Sequence, residues 1–175
     1  MHVTCRLVGS ALVLSEYDPE WPRRYEAERT RITAALGSLA ERTEHIGSTA
    51  VPGLVAKPII DILLGIARLE LSTEEIAAME ALGYTYRGEF GIPRRRYFSK
   101  PGYHVHTFRV GEGQWTTHLL WRDYLRNDAG ARVRYASFKR FAAVRSRWDR
   151  DRYQELKDEF VAGMLREAPR RDSPP

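Results

Sequence analysis

The sequence predicts a mixed α/β domain: a small mixed sheet with helices packed on it, closed by a C-terminal helical section. Three observations carry this. Residues 58–66 form a near-continuous apolar run, Pro58-Ile59-Ile60-Asp61-Ile62-Leu63-Leu64-Gly65-Ile66, the pattern of a strand covered on both faces. Two further β-prone stretches, Arg95 to Ser99 and Tyr103 to Val110, are joined by a Pro-Gly turn. From Gln114 onward the apolar residues recur with a helical period, as in Tyr135, Phe138 and Ala142, and in Tyr153, Leu156, Phe160, Val161 and Met164.

The remaining elements follow in order. Leu7 to Leu14 is apolar and reads as an edge strand rather than a signal peptide, since only Arg6 supplies nearby positive charge. Asp18-Pro19 resembles a helix start, an acidic N-cap before proline, and the helix would run to about Leu39. Trp21, Tyr25, Ile32 and Leu36 would supply its inward face. Thr43 to Ile46 predicts a short strand that ends in Gly47-Ser48-Thr49. Ser72-Thr73-Glu74-Glu75 opens a second helix that closes at Gly83.

A chain of 175 residues suits one domain, expected over 1–168, with the polar, proline-rich residues 169–175 as a disordered tail. No apolar run approaches the roughly 20 residues that span a bilayer. A single cysteine, Cys5, permits no internal disulfide and no thiolate zinc cluster, which fits a reducing compartment. The expected setting is therefore cytoplasmic, with no membrane partner. The formal net charge is +5, so the surface attracts anions. Only four of the 28 basic residues are lysine, and this arginine bias reflects either general composition or an anionic ligand. The basic residues are interspersed with Asp and Glu and no nucleic-acid reader motif occurs, so a small molecule is the expected partner.

Asp61 is the most informative residue. An ionised carboxylate inside an apolar strand must be paired, hydrogen-bonded, metal-bound or turned into a cleft. It is either a structural carboxylate or a ligand for metal or substrate. Gly47-Ser48-Thr49 is either a plain turn or a phosphate cradle of N–H groups and hydroxyls. His104 and His106, two apart on a strand, face the same way; they could hold a metal or a phosphate, or simply be half-exposed. His45 could join them. Arg94-Arg95-Arg96 is an electropositive rim or a solvated hairpin tip, and Arg122 and Asp123, neighbours on a helix, are not expected to face each other.

The run Glu44-His45-Ile46-Gly47-Ser48-Thr49-Ala50-Val51-Pro52-Gly53-Leu54, continued through Ala56-Lys57-Pro58-Ile59-Ile60-Asp61-Ile62, closely resembles the GrpB (UPF0157) family. Tyr17-Asp18-Pro19-Glu20-Trp21-Pro22, Arg96-Tyr97-Phe98, His104-Val105-His106 and Leu120 to Arg126 resemble its other blocks, as do Tyr135 with Lys139 and Tyr153 with Lys157. The likeness spans about Leu14 to Leu165. It implies a nucleotidyltransferase-like fold, in which a Gly-Ser turn holds a triphosphate and a D-x-D pair binds two divalent metals. Gly47 and Ser48 match the turn and Asp61 the first carboxylate. The second carboxylate position is Leu63, and the strand that would bring a third offers His104 and His106.

The implied activity is a nucleotidyltransferase-like enzyme that uses a nucleoside triphosphate such as ATP, with Mg²⁺ or Mn²⁺, to activate or modify a small-molecule acceptor. Asp61, His104, His106 and Lys57 would be catalytic. Gly47, Ser48, Thr49, Arg96, Arg122 and Lys139 would hold phosphate. Asp61, His104, His106 and His45 would hold metal, a set that also suits Zn²⁺. The alternatives are a non-catalytic nucleotide or phosphometabolite-binding module, and a His/Asp metal-dependent hydrolase or lyase.

Overall fold

The apolar run becomes the second strand of a five-stranded mixed sheet. A computed structural model describes residues 12–168, and its strands are β1 (Ala40–Ile46), β2 (Ile60–Ile66), β3 (Thr85–Tyr86), β4 (Arg96–Lys100) and β5 (Tyr103–Arg109). They are ordered β1-β2-β5-β4-β3. Only the β2–β5 pairing is parallel; the other three are antiparallel.

Because side chains alternate along a strand, β2 feeds two cores. Ile60, Ile62, Leu64 and Ile66 face α1 (Trp21–Leu36) and α2 (Thr73–Ala81), where they join Trp21, Ile32, Met79, Phe98 and Val105. Leu63 faces the other way, with Ile46, Phe108 and Trp115, beneath α3 (Gly113–Asn127). Gly65 lies on that face, where Val110 and the Trp115 ring occupy the space a side chain would need. The C-terminal section is α3 with α4 (Ala129–Arg145) and α5 (Arg150–Glu167). Asp128 and Asp149 cap the last two helices through their carboxylates, and Phe138 stacks on Phe160 at 3.8 Å between them.

Several boundaries differ from the expectation. Asp18 does not cap α1: its carboxylate accepts from the Glu20 N–H in a preceding turn, and the helix starts at Trp21 with Pro22 in its first turn. The helix stops at Leu36, because Gly37 at φ +53° turns the chain into a short 3₁₀ segment before β1. The described part of the expected edge strand, residues 12–14, is not a strand; Ser15 makes an isolated antiparallel bridge to Ala56. The earlier part of that stretch and the tail 169–175 lie outside the described residues. Ser72 and Glu75 form the expected capping box of α2. Among the described residues, no helix is long and apolar enough to cross a membrane.

Candidate functional site

The site is assembled where β1 ends and β2 and β5 begin, on the α3 side of the sheet. Parallel pairing puts Asp61 beside His104 and Leu63 beside His106, so both histidines project to the face that carries Asp61. His104 Nδ1 lies 3.3 Å, and His106 Nε2 3.5 Å, from Asp61 Oδ1. The other carboxylate oxygen, Oδ2, rests against Gly47. A Cβ at that position would overlap it, and Gly47 sits at φ +69°, ψ −169°, a conformation open essentially to glycine alone. The Gly-Ser turn is thus shaped by the carboxylate above it.

Burial works to raise the Asp61 carboxyl, but the hydrogen bonds and charges of His104 and His106 outweigh it and hold the group far below the usual carboxylate range. Burial pushes the His106 imidazole the other way, favouring its neutral form. The Nδ1 of His106 faces Nη1 of Arg95 at 3.4 Å. Arg95 is itself buried, donating to the carbonyls of Glu89 and Phe90 and lying 4.6 Å above the Tyr97 ring. Beyond His106, the His118 ring sits 5.4 Å away with its Nε2 buried and unbonded; burial first, then His106, pushes its pKa down to about 3.

Lysines approach from the helical section. Lys139, 2% exposed, donates from Nζ to Ser48 Oγ and to the Val55 carbonyl, both at 2.5 Å, and lies 4.6 Å from the Tyr135 ring centroid. Burial, followed by repulsion from Lys157, drives its pKa well below the usual lysine value. Lys57 lies over the Tyr153 ring at 4.7 Å, and burial, Lys157 and Arg150 lower it to about 8. Among the described residues, Lys100 is the only lysine with a carboxylate at ion-pairing distance. A cleft of about 450 Å³ opens beside His104, walled by Tyr97, Ser99 and Phe90; its charged side chains, His104 apart, are Arg87, Lys100 and Arg150.

The structure therefore brings Gly47, Ser48, Lys57, Asp61, His104, His106 and Lys139 to one region. Four expected site residues lie elsewhere. His45 pairs with Ile62 in the antiparallel register, so it points through the opposite face of the sheet. There it stacks on Tyr25 at 4.8 Å and meets Thr49 Oγ1 at 3.0 Å, away from the Asp61 group. Thr49 is buried too, its hydroxyl donating to the Ile59 carbonyl and so already engaged. Arg96 pairs with Thr107, which also turns it away, and it donates to the Leu69 carbonyl. Arg122 is taken up by Glu44 at 2.7 Å and by Asp123 at 2.8 Å. The last contact corrects the expectation that these helical neighbours do not meet: the long arginine side chain curls back to the adjacent carboxylate. Arg95 was legible only as one of three arginines in a candidate rim, and His118 not at all, since a lone helical histidine carries no spacing signal.

A mixed sheet with a Gly-Ser turn leaning on a strand carboxylate, backed by a helical section, defines a nucleotidyltransferase-like fold. The GrpB protein family model matches residues 11–167. The chain belongs to the GrpB family. The chain is 36% identical over 149 residues to the UPF0157 protein YqkA of Bacillus subtilis (strain 168), covering 83% of this chain and 43% of that one. It is 31% identical over 180 residues to a dephospho-CoA kinase of Mycolicibacterium paratuberculosis, covering 86% of this chain and 44% of the kinase. In structure it matches the crystal structure of conserved protein GrpB from Enterococcus faecalis with a TM-score of 0.82 at 35% identity, covering 89% and 96% of the two chains.

Proposed function

We propose that the chain is a nucleotidyltransferase-like enzyme that binds a nucleoside triphosphate and transfers part of it to a small-molecule acceptor. The observation that carries this reading is the approach of Lys57 and Lys139, with Lys157 acting on both, to the Ser48 and Asp61 region, with no carboxylate at ion-pairing distance from any of the three among the described residues. A buried lysine repelled by partly buried neighbours of the same charge is costly, and a polyphosphate supplies compensating negative charge. Ser48, held by Lys139, and the backbone of the Gly47 turn would receive phosphate oxygens. Lys57 and Lys139 would then stabilise the charge that develops on phosphate during transfer. A divalent ion at Asp61 would polarise the phosphorus centre under attack. A relative named as a dephospho-CoA kinase, of which this chain covers 44%, is a further reason to test nucleotides as ligands.

One observation favours a second reading, a nucleotide or phosphometabolite-binding module without catalysis. Leu63, at the position of the second carboxylate, is fully buried among Ile46, Phe108 and Trp115, which leaves no room for a two-ion oxygen site.

Thermal-shift measurements with ATP and with inorganic tripolyphosphate test the proposal. A ligand at 100 times its Kd adds about 2.7 kcal/mol of stability. Stabilisation by ATP in wild type, lost in Lys139→Met, together with turnover that requires metal, is expected. ATP binding that needs no metal and gives no turnover with any acceptor favours the binding module, and no stabilisation by either anion sinks both.

A further inference from the structure

We infer that Asp61, His104 and His106 form a mononuclear site for a transition-metal ion of the Zn²⁺, Mn²⁺ or Fe²⁺ class, in place of a carboxylate-bridged ion pair. The inference deepens the divalent-ion part of the nucleotide reading but uses none of its lysines, so the failure of one can be told from the failure of the other.

The first argument is distance. With metal–ligand bonds of about 2.1 Å, the edges of a tetrahedron are about 3.4 Å long and cis-octahedral edges about 3.0 Å. The two Asp61–histidine separations are 3.3 and 3.5 Å, and one ligand atom from each residue lies within 4.8 Å of the others. Strand pairing sets this spacing, since His104 lies directly beside Asp61 and His106 stands two positions further along the same strand, so the three donors converge without rearrangement of the strands.

The second argument is donor chemistry. Two imidazole nitrogens and one carboxylate oxygen match ions that accept nitrogen ligands, whereas Mg²⁺ calls for oxygens. Among the described residues no lysine or arginine pairs with Asp61; its close partners are the two imidazoles, which when neutral leave one negative charge for a cation to meet.

The third argument is access. Gly47 holds Oδ2 on one side while Oδ1 faces the histidines. The side chains of Asp61 and His104 remain 27% and 20% exposed, and the cleft at His104 leaves coordination positions for water or substrate, as in open catalytic sites rather than closed structural ones.

Arg95 sets the strength of the site. A histidine that ligates metal usually donates its other ring N–H to an acceptor. His106 Nδ1 faces an arginine N–H instead, so an ion on Nε2 opens that contact while Arg95 keeps its bonds to the Glu89 and Phe90 carbonyls. The ion is therefore exchangeable rather than locked in.

The test is direct titration. Protein stripped with a chelator is titrated with Zn²⁺ against a chromophoric competitor and, separately, with Co²⁺ followed by visible absorption. One equivalent is expected, with a Co²⁺ spectrum of mixed nitrogen and oxygen ligation and no competition from millimolar Mg²⁺. His104→Ala and His106→Ala, each checked for fold by circular dichroism, should weaken binding by at least about tenfold. Failure of wild type to bind either ion overturns the inference, as does equal binding by the double variant or displacement by Mg²⁺. Tripolyphosphate stabilisation should persist in the histidine variants whatever the metal result, which separates this test from that of the nucleotide reading.

Discussion

Two lysines on opposite faces of the sheet, Lys139 buried and Lys100 largely so, show what a charge paired within the protein looks like and what an unpaired one looks like. Lys100 points toward α1, where its Nζ lies 2.6 Å from Glu28, with Tyr84 donating to the same carboxylate at 3.0 Å and Arg31 at 3.2 Å. Every partner in that group is satisfied within the protein. Lys139, on the other face, has a hydroxyl, a carbonyl and an aromatic ring around it but no carboxylate at ion-pairing distance among the described residues, Asp61 acting on it only from further away. Removing one member of a complete pair strands a charge, whereas removing a cation that lacks a pair relieves strain. The first lysine is held by a carboxylate of the fold, and the second has only neutral groups in contact.

The largest effect expected from this contrast is Glu28→Ala, which leaves the largely buried Lys100 with the Leu82 carbonyl but no carboxylate and should cost about 3–5 kcal/mol in denaturant unfolding. Glu28→Gln should cost less, since it preserves shape and a hydrogen-bonding oxygen. A loss no larger for Ala than for Gln would break the comparison.

Next in size is the acid response of the closed face. Burial lowers the His45 imidazole from its ordinary 6.5 to about 4. Below pH 6.5 the unfolded chain takes up a proton that the folded chain refuses. The stability contributed by neutral His45 is therefore complete above that pH and falls away as pH drops toward 4, by up to about 3 kcal/mol. His45→Gln should flatten the stability profile across this window, and an unchanged slope would show that His45 is protonated where it sits.

Gly47→Ala should cost about 1–3 kcal/mol for its backbone conformation. It also displaces the Asp61 carboxylate, so metal and nucleotide binding should both weaken; a variant of normal stability and normal binding would remove the reason given for glycine there.

The smallest stability change is expected for Lys139→Met, within about 1 kcal/mol of wild type or slightly stabilising, because a buried cation without a counter-ion is exchanged for an apolar side chain. A loss comparable to that of Glu28→Ala would place Lys139 in the fold after all.

Local pattern carried much of this. The two-faced burial of β2, the helical period of residues 135–164 and the capping box at Ser72 are all written in neighbouring residues. So was the shared face of His104 and His106, since alternate strand positions always agree. β3 was not legible, because two residues, Thr85 and Tyr86, are too few to set up an alternation.

By itself, then, the sequence determined the class of fold, the family and the residue types present at the site. Tertiary structure decided which of them meet. The antiparallel register sets Ile46, not His45, opposite Asp61, and that single offset sends His45 into the other core, since a shift of one residue exchanges the faces of a strand. The parallel register brings His104 to Asp61 across 43 residues of chain, and helix packing returns Lys139 to Ser48 across 91. Inter-strand hydrogen bonding and helix docking are long-range choices. No local period encodes them.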